Sequence, residues 1–157
     1  MTSNVRAIEV GRGLWGAALL VAPRTVLENV HHLEVDHKSL VIARILGARH
    51  ITQAALSGIR PSPEVLAMGV WVDVVHALSA VGLAAADRSR ARAGLTDAAV
   101  ASVWAGAGYR DLRGDGPTAP AHDRRRDALA RFVLGIAPGG KALLTQSRHD
   151  RQRARRA

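Results

Sequence analysis

Cysteine is absent from the 157 residues, which excludes disulfides, thiol catalysis and thiolate metal sites. Aromatic side chains make up only 3% and are limited to Trp15, Trp71, Trp104, Tyr109 and Phe132. Strand-type alternation of Val, Ile and aromatics is nearly missing too, so a sheet-based core is not expected. No run of 18 consecutive residues is free of ionisable groups, the strict mark of a bilayer-crossing helix. The opening MTSNVRAIEVGRG lacks the basic start, long apolar run and small-residue cleavage site of a removable secretory signal, and none is expected.

What remains is an apolar share of 48%, carried by Ala, Val, Leu and Gly, which favours helices packed closely through small side chains. The net charge of +9 is placed unevenly. From Tyr109 onward there are 12 Lys and Arg against 5 Asp and Glu, whereas the first 108 residues hold 10 against 8. Most of the basicity therefore belongs to a C-terminal extension.

Helical periodicity marks four segments. The first runs from Val5 to Leu27 and is ended or kinked at Pro23. A His- and acid-rich connection, ENVHHLEVDHK, leads to the second, Ser39 to Ile59. The third, Pro63 to Ala86, begins with Ser62 as cap, Pro63 in the first turn and Glu64 at the positive end of the dipole. Its 24 residues would reach ~36 Å, enough to cross a bilayer, with only Asp73 and His76 breaking it. The fourth covers AGLTDAAVASVWAGAGY. Residues 114–123 read as a flexible linker. Beyond them RRRDALARFVLGIAP forms a short amphipathic helix with Leu129, Phe132, Val133 and Ile136 on one stripe. The end, SRHDRQRARRA, reads as a disordered polybasic tail.

The second segment carries ionisable groups among Ile, Leu and Ala: RILGARHITQA. At ~100° per residue from Arg44, Arg49 falls near 140°, Gln53 near 180° and His50 near 240°. Apolar residues lie between them on every side, so this helix is surrounded, and a surrounded charge needs a partner. Arg49 lies twelve residues before Pro61 and Asp73 twelve after it, so both sit ~18 Å from the turn of an antiparallel hairpin. Gln53 and Gly69 are matched in the same way. On the third segment Gly69, Asp73, His76 and Ala80 share a face of small and polar residues, the kind through which helices associate in lipid. The expectation is an Arg49–Asp73 ion pair with His76 and Gln53 beside it. A charge exchange at 49 and 73 should then restore what either reversal destroys. Arg44 is close enough to the helix start to snorkel to an interface.

These stretches carry a resemblance: Gly11-Arg-Gly-Leu-x-Gly-Ala-Ala-Leu-Leu-x-Ala-Pro23, Ala43-Arg-Ile-Leu-Gly-Ala-Arg-His-Ile-x-Gln-Ala54 and Val72-Asp-Val-Val-His-Ala-Leu-Ser79. Their order is similar to a group of small actinobacterial proteins of unknown function, predicted as helical membrane proteins. It covers roughly residues 6–113, omits the basic tail, and implies no activity, cofactor or catalytic residue.

Arg49, His50, Gln53, Asp73 and His76 are the candidate buried polar cluster, read either as a structural ion pair that fixes helix register or as part of a proton or ion path. Asp73, His76 and His50 could in principle ligate a metal, but a neighbouring Arg49 disfavours a cation. His31, His32, Glu34, Asp36 and His37 lack any recognised zinc spacing and read as a polar connection. Glu9 and Arg12 should pair within the first helix, whose Gly13, Gly16 and Ala17 form a packing face. Asp97 is expected to cap a shortened fourth helix, with an arginine partner as the other reading. No Ser-His-Asp elbow, phosphate loop or carboxylate pair appears. Arg124, Arg125, Arg126, Arg131, Arg151, Arg153, Arg155 and Arg156 suit anionic lipid headgroups; the other readings are a solubilising, disordered extension and nucleic-acid phosphates.

The fold expected is all-α: a membrane-embedded four-helix bundle over residues 1–113, a linker over 114–123, and a basic amphipathic helix with a disordered tail over 124–157. The function expected is a non-enzymatic structural or interaction role in the cell membrane, with the tail cytoplasmic. No cofactor or metal is expected, and the partners are anionic lipid and other membrane proteins. A soluble all-α binding module, using its tail on nucleic acid or a pocket near Arg49, Asp73 and His76, is the alternative. Arg88, Arg90 and Arg92 oppose a four-span topology, because they would then face outward.

Overall fold

The computed structural model describes residues 7–30, 32, 35–58, 61–113 and 124–154. Among these there are seven α-helices and no strand: α1 (Ala7–Val21), α2 (Pro23–Asn29), α3 (His37–Ser57), α4 (Pro63–Ala86), α5 (Ala91–Arg113), α6 (Arg124–Ile136) and α7 (Gly140–Ala154). A single 3-10 turn, Arg88–Arg90, precedes α5. The linker expected over 114–123 lies outside the described residues.

Local chemistry sets most boundaries. Pro23 cannot extend α1 and instead occupies the first position of α2, so the first segment breaks rather than bends. Asp36 caps α3, accepting from the Ser39 amide at 2.7 Å, and Gly58 ends it at φ 62°. Ser62 caps α4 by accepting from the Val65 amide, with Pro63 behind it. Asp97 corrects an expectation. It is no cap but lies within α5, which starts at Ala91 and continues to Arg113. Within the tail expected to be disordered, residues 147–154 are helical instead, and 155–157 lie outside the described residues. Residues 140–154 form α7, which turns back from α6 at Pro138-Gly139 and lies along α4.

The pairing of helices also differs from the expected hairpin. α1 packs along α3 and α4 along α5, both antiparallel, while the backbones of α3 and α4 approach each other only slightly. Glycine explains the preference. A Cβ on Gly16 would stand 2.8 Å from the Gly47 carbonyl, and one on Gly47 would stand 2.7 Å from the Gly16 carbonyl. At the α4–α5 crossing, a Cβ on Gly94 would come 2.8 Å from the Ala80 carbonyl. Each crossing is closer than an alanine permits, and Gly69 has no such counterpart on α3. The molecule therefore consists of two halves, α1–α3 and α4–α7, meeting along a seam.

Two apolar clusters occupy opposite ends. One gathers Leu19, Val26, Leu27 and Ala43 within the first half. The other gathers Leu66, Ala67, Leu112 and Leu134, with Trp71, Leu143 and Leu144 against it, and seats the α6–α7 hairpin on α4. Trp71 Nε1 donates to the Pro138 carbonyl at 2.9 Å, tying the hairpin's turn to the same helix. On α6 the buried side is Asp127, Ala130 and Leu134, so Leu129, Phe132 and Ile136 of the expected stripe face outward.

Candidate functional site

Between the two apolar ends lies a polar layer. Asp73, 1% exposed, is its centre. Arg12 donates to both carboxylate oxygens at 2.8 Å, Arg49 donates to Oδ1 at 3.1 Å, and Gln53 Nε2 donates to the same oxygen at 3.2 Å. The expected Arg49–Asp73 pair is present, and Gln53 also reaches the Gly69 carbonyl at 3.3 Å, as their equal distance from the turn implied. Glu9 holds the other side of the Arg12 guanidinium at 3.2 Å.

Arg12 is the component that sequence reasoning placed too locally. Its i,i+3 partner was evident, but its contact with Asp73 spans 61 positions and two helices. The available signal was a cation on the Gly13–Gly16 packing face of α1, where a merely local pair would leave it buried. The guanidinium also lies over the Trp104 ring, 4.8 Å from its centroid, an arrangement that favours the cation.

His76 does not join Asp73. Its Nε2 faces Asp97 Oδ2 at 2.7 Å, across the α4–α5 contact. A carboxylate only accepts, so Nε2 carries the hydrogen. His50 is fully buried, 4.9 Å from the Trp104 centroid and 6.3 Å from that of His76. Neither of its ring nitrogens has a hydrogen-bond partner among the described residues. Arg44, by contrast, is exposed.

No three His, Asp or Glu side chains converge as metal ligands among the described residues. In the His-rich connection, His31 and Glu34 lie outside the described residues, while Asp36 is committed to capping α3 and to Arg90 at 3.0 Å. Hydrogen bonds from the Ser39 side chain and amide, with Arg90 nearby, hold the Asp36 carboxyl below its ordinary range.

The basic residues of the C-terminal helices are used in several ways. Arg151 bonds Glu64 and, at 3.2 Å, Asp127; both carboxylates are buried, and Ser62 also bonds Asp127. Partial burial lowers the Arg151 pKa, but its bonds to the two carboxylates outweigh that and raise it overall. Arg153 donates to the Arg113 carbonyl at the end of α5, and Arg126 donates to the Leu56 carbonyl near the end of α3. Arg125 is exposed and Arg131 is half exposed, 3.7 Å from Glu64. Arg124 opens α6, and Arg155 and Arg156 lie outside the described residues.

The arrangement places compensated charge in the interior and fixes how the two halves meet. No family model, curated protein or solved structure matches the chain.

Proposed function

We propose that this chain is a small non-enzymatic helical protein of the membrane, with a structural or interaction role. In this reading α1, α3, α4 and α5 are set in the bilayer and the α6–α7 hairpin lies on the anionic cytoplasmic face.

The observation that carries the reading is an inverted distribution of polarity. Charged and polar groups fill the middle of the bundle, while Leu14, Ile45, Leu78 and Val103, one on each of the four helices, are 63–69% exposed. A helix set in water collects its charges on its outer face; one set in lipid turns them inward and pairs them. Small-residue crossings at Gly16–Gly47 and Gly94 fit the same solvent, where close backbone approach replaces the hydrophobic drive between helices. Among the described residues α4 alone is long and apolar enough to cross a membrane by itself. The other three would rely on burying their ionisable groups against it. On α6, the outward Leu129, Phe132 and Ile136 beside Arg125 and Arg131 suit the headgroup boundary. Arg126, Arg151 and Arg153 already bond carbonyls and carboxylates of the chain itself, which competes with any nucleic-acid phosphate.

Carbonate extraction of cells expressing the full chain tests the proposal: the chain should stay in the pellet. Because it has no cysteine, single cysteines at Leu14, Ile45, Leu78 or Val103 should resist a membrane-impermeant maleimide until detergent is added. Release by carbonate, or a monodisperse monomer without detergent, would instead support the soluble binding module.

A further inference from the structure

The seam between the halves holds a partly open cavity of about 210 Å³, above the polar layer and below the Asp36–Arg90 contact. Its walls are apolar, with Leu19, Leu27, Ile42, Leu46 and Leu83 among them. At one end lie His76 and Asp97, and at the other Arg90. A cavity of 150 Å³ holds benzene, so this one has room for roughly nine non-hydrogen atoms.

The charges around it are not balanced. The layer beneath contains three carboxylates, Glu9 and Asp73, both buried, and Asp97, 18% exposed, with two guanidiniums, the buried Arg12 and the partly exposed Arg49. Arg12 and Arg49 are both drawn to Asp73, and Arg12 also to Glu9, which leaves Asp97 with a histidine as its sole hydrogen-bonding partner. His76 occupies Oδ2, and Oδ1 has no partner among the described residues. At the mouth Arg90 is shared between Asp36 at 3.0 Å and Asp87 at 3.3 Å. Counted over these side chains with neutral histidines, the layer at the His76–Asp97 end carries one more carboxylate than guanidinium, within a chain whose net charge is +9.

The geometry points to a binding site for a compact apolar molecule that carries one protonated amine. The hydrocarbon body fills the space between α3 and α4, and the ammonium donates to Asp97 Oδ1. Such a ligand supplies a further cation beside a carboxylate that is only 18% exposed and has one oxygen open to a donor. Ser79 offers nothing that competes, since its hydroxyl already donates to the Val75 carbonyl at 2.8 Å.

Three molecules of equal size separate the contributions: phenethylamine, 2-phenylethanol and propylbenzene. Each is titrated calorimetrically into the full chain in detergent micelles, with the heat from empty micelles subtracted. The amine should bind saturably and at least tenfold more tightly than either of the others. Asp97→Asn should bring the amine down to the level of the alcohol, and Ala93→Leu, which fills the cavity from α5, should weaken all three. Equal affinities would overturn the assignment and leave an apolar hole, including one filled by a lipid chain. Amine binding that survives Asp97→Asn, or is absent from the parent chain, would overturn it as well.

Discussion

Replacing Arg12 should damage the molecule more than replacing Arg49, although Arg49 is the residue whose spacing announces a partner for Asp73. Arg12 is 3% exposed and gives Asp73 two bonds at 2.8 Å while also serving Glu9. Arg49 gives one side-chain bond at 3.1 Å and is 22% exposed. Breaking a buried pair from one side costs about 3–5 kcal/mol, because the other charge is left behind. A single charge-assisted hydrogen bond in a partly exposed setting is worth about 1.5–3 kcal/mol at most. Arg12→Met and Asp73→Asn should each lower the melting temperature by about 6–20 °C, taking 2–4 °C per kcal/mol for a chain of this size. Arg49→Met should produce a smaller shift, about 3–12 °C on the same scale. The charge exchange Arg49→Asp with Asp73→Arg should fail to rescue, since the cation introduced at 73 would meet Arg12. Thermal unfolding of the detergent-purified variants, followed by circular dichroism, is the assay. Rescue by the exchange, or an Arg12→Met variant no worse than Arg49→Met, would refute Arg12 as the principal partner.

Gly16→Ala or Gly47→Ala should cost about 1–3 kcal/mol through overpacking, read as a lower melting temperature, whereas Gly82→Ala, where a Cβ meets nothing within 4 Å, should be neutral or better. His50→Leu should stabilise the fold or leave it unchanged, because it removes two buried nitrogens that have no partner; a loss above about 1 kcal/mol would mean that the imidazole is bonded in a way not described above. Arg151→Met should cost about 3 kcal/mol and release α7 from α4, seen as faster amide exchange over 140–154, since Glu64 and Asp127 would lose their shared cation. The Asp36 carboxyl is held below its ordinary range, so its contribution is complete above that range and is lost as pH falls through the lowered value. The Ser39 amide should lose exchange protection in that acid window, and Asp36→Asn should remove the pH dependence.

Much of the helical order was legible because it is written in local chemistry. Pro23 and Ser62-Pro63 punctuate the chain, and the bounds of α4 follow from its cap and its apolar run. Arg49, Gln53, Gly69 and Asp73 could be placed at matching levels because a short turn makes two helices antiparallel and the rise per residue is constant. Arg12 and Asp97 were misjudged for one shared reason: each has a plausible local role, and the partner that decides its role lies on a helix whose neighbour the sequence does not specify. The α6 stripe misled differently. Leu129, Phe132 and Ile136 have the right periodicity, but the polar Asp127 was claimed by Ser62 and Arg151, and that rotated the helix. α7 was masked by its composition, since a run of arginines reads as disorder unless its buried counter-charges, Glu64 and Asp127, are known.

Every hydrogen bond to the Asp73 carboxylate comes from α1 or α3, while Asp73 itself belongs to α4. One carboxylate thus acts as the rivet between two plates. At the edges of the same seam lie Arg90–Asp36 on one side and Arg126 on the Leu56 carbonyl on the other. They differ in kind from the rivet, because Asp36 is 51% exposed and its attraction to Arg90 is open to screening. Ionic strength therefore acts on the edge of the seam and spares its middle. Salt loosens the rim of the cavity, with Asp73 as the fulcrum about which the plates can part.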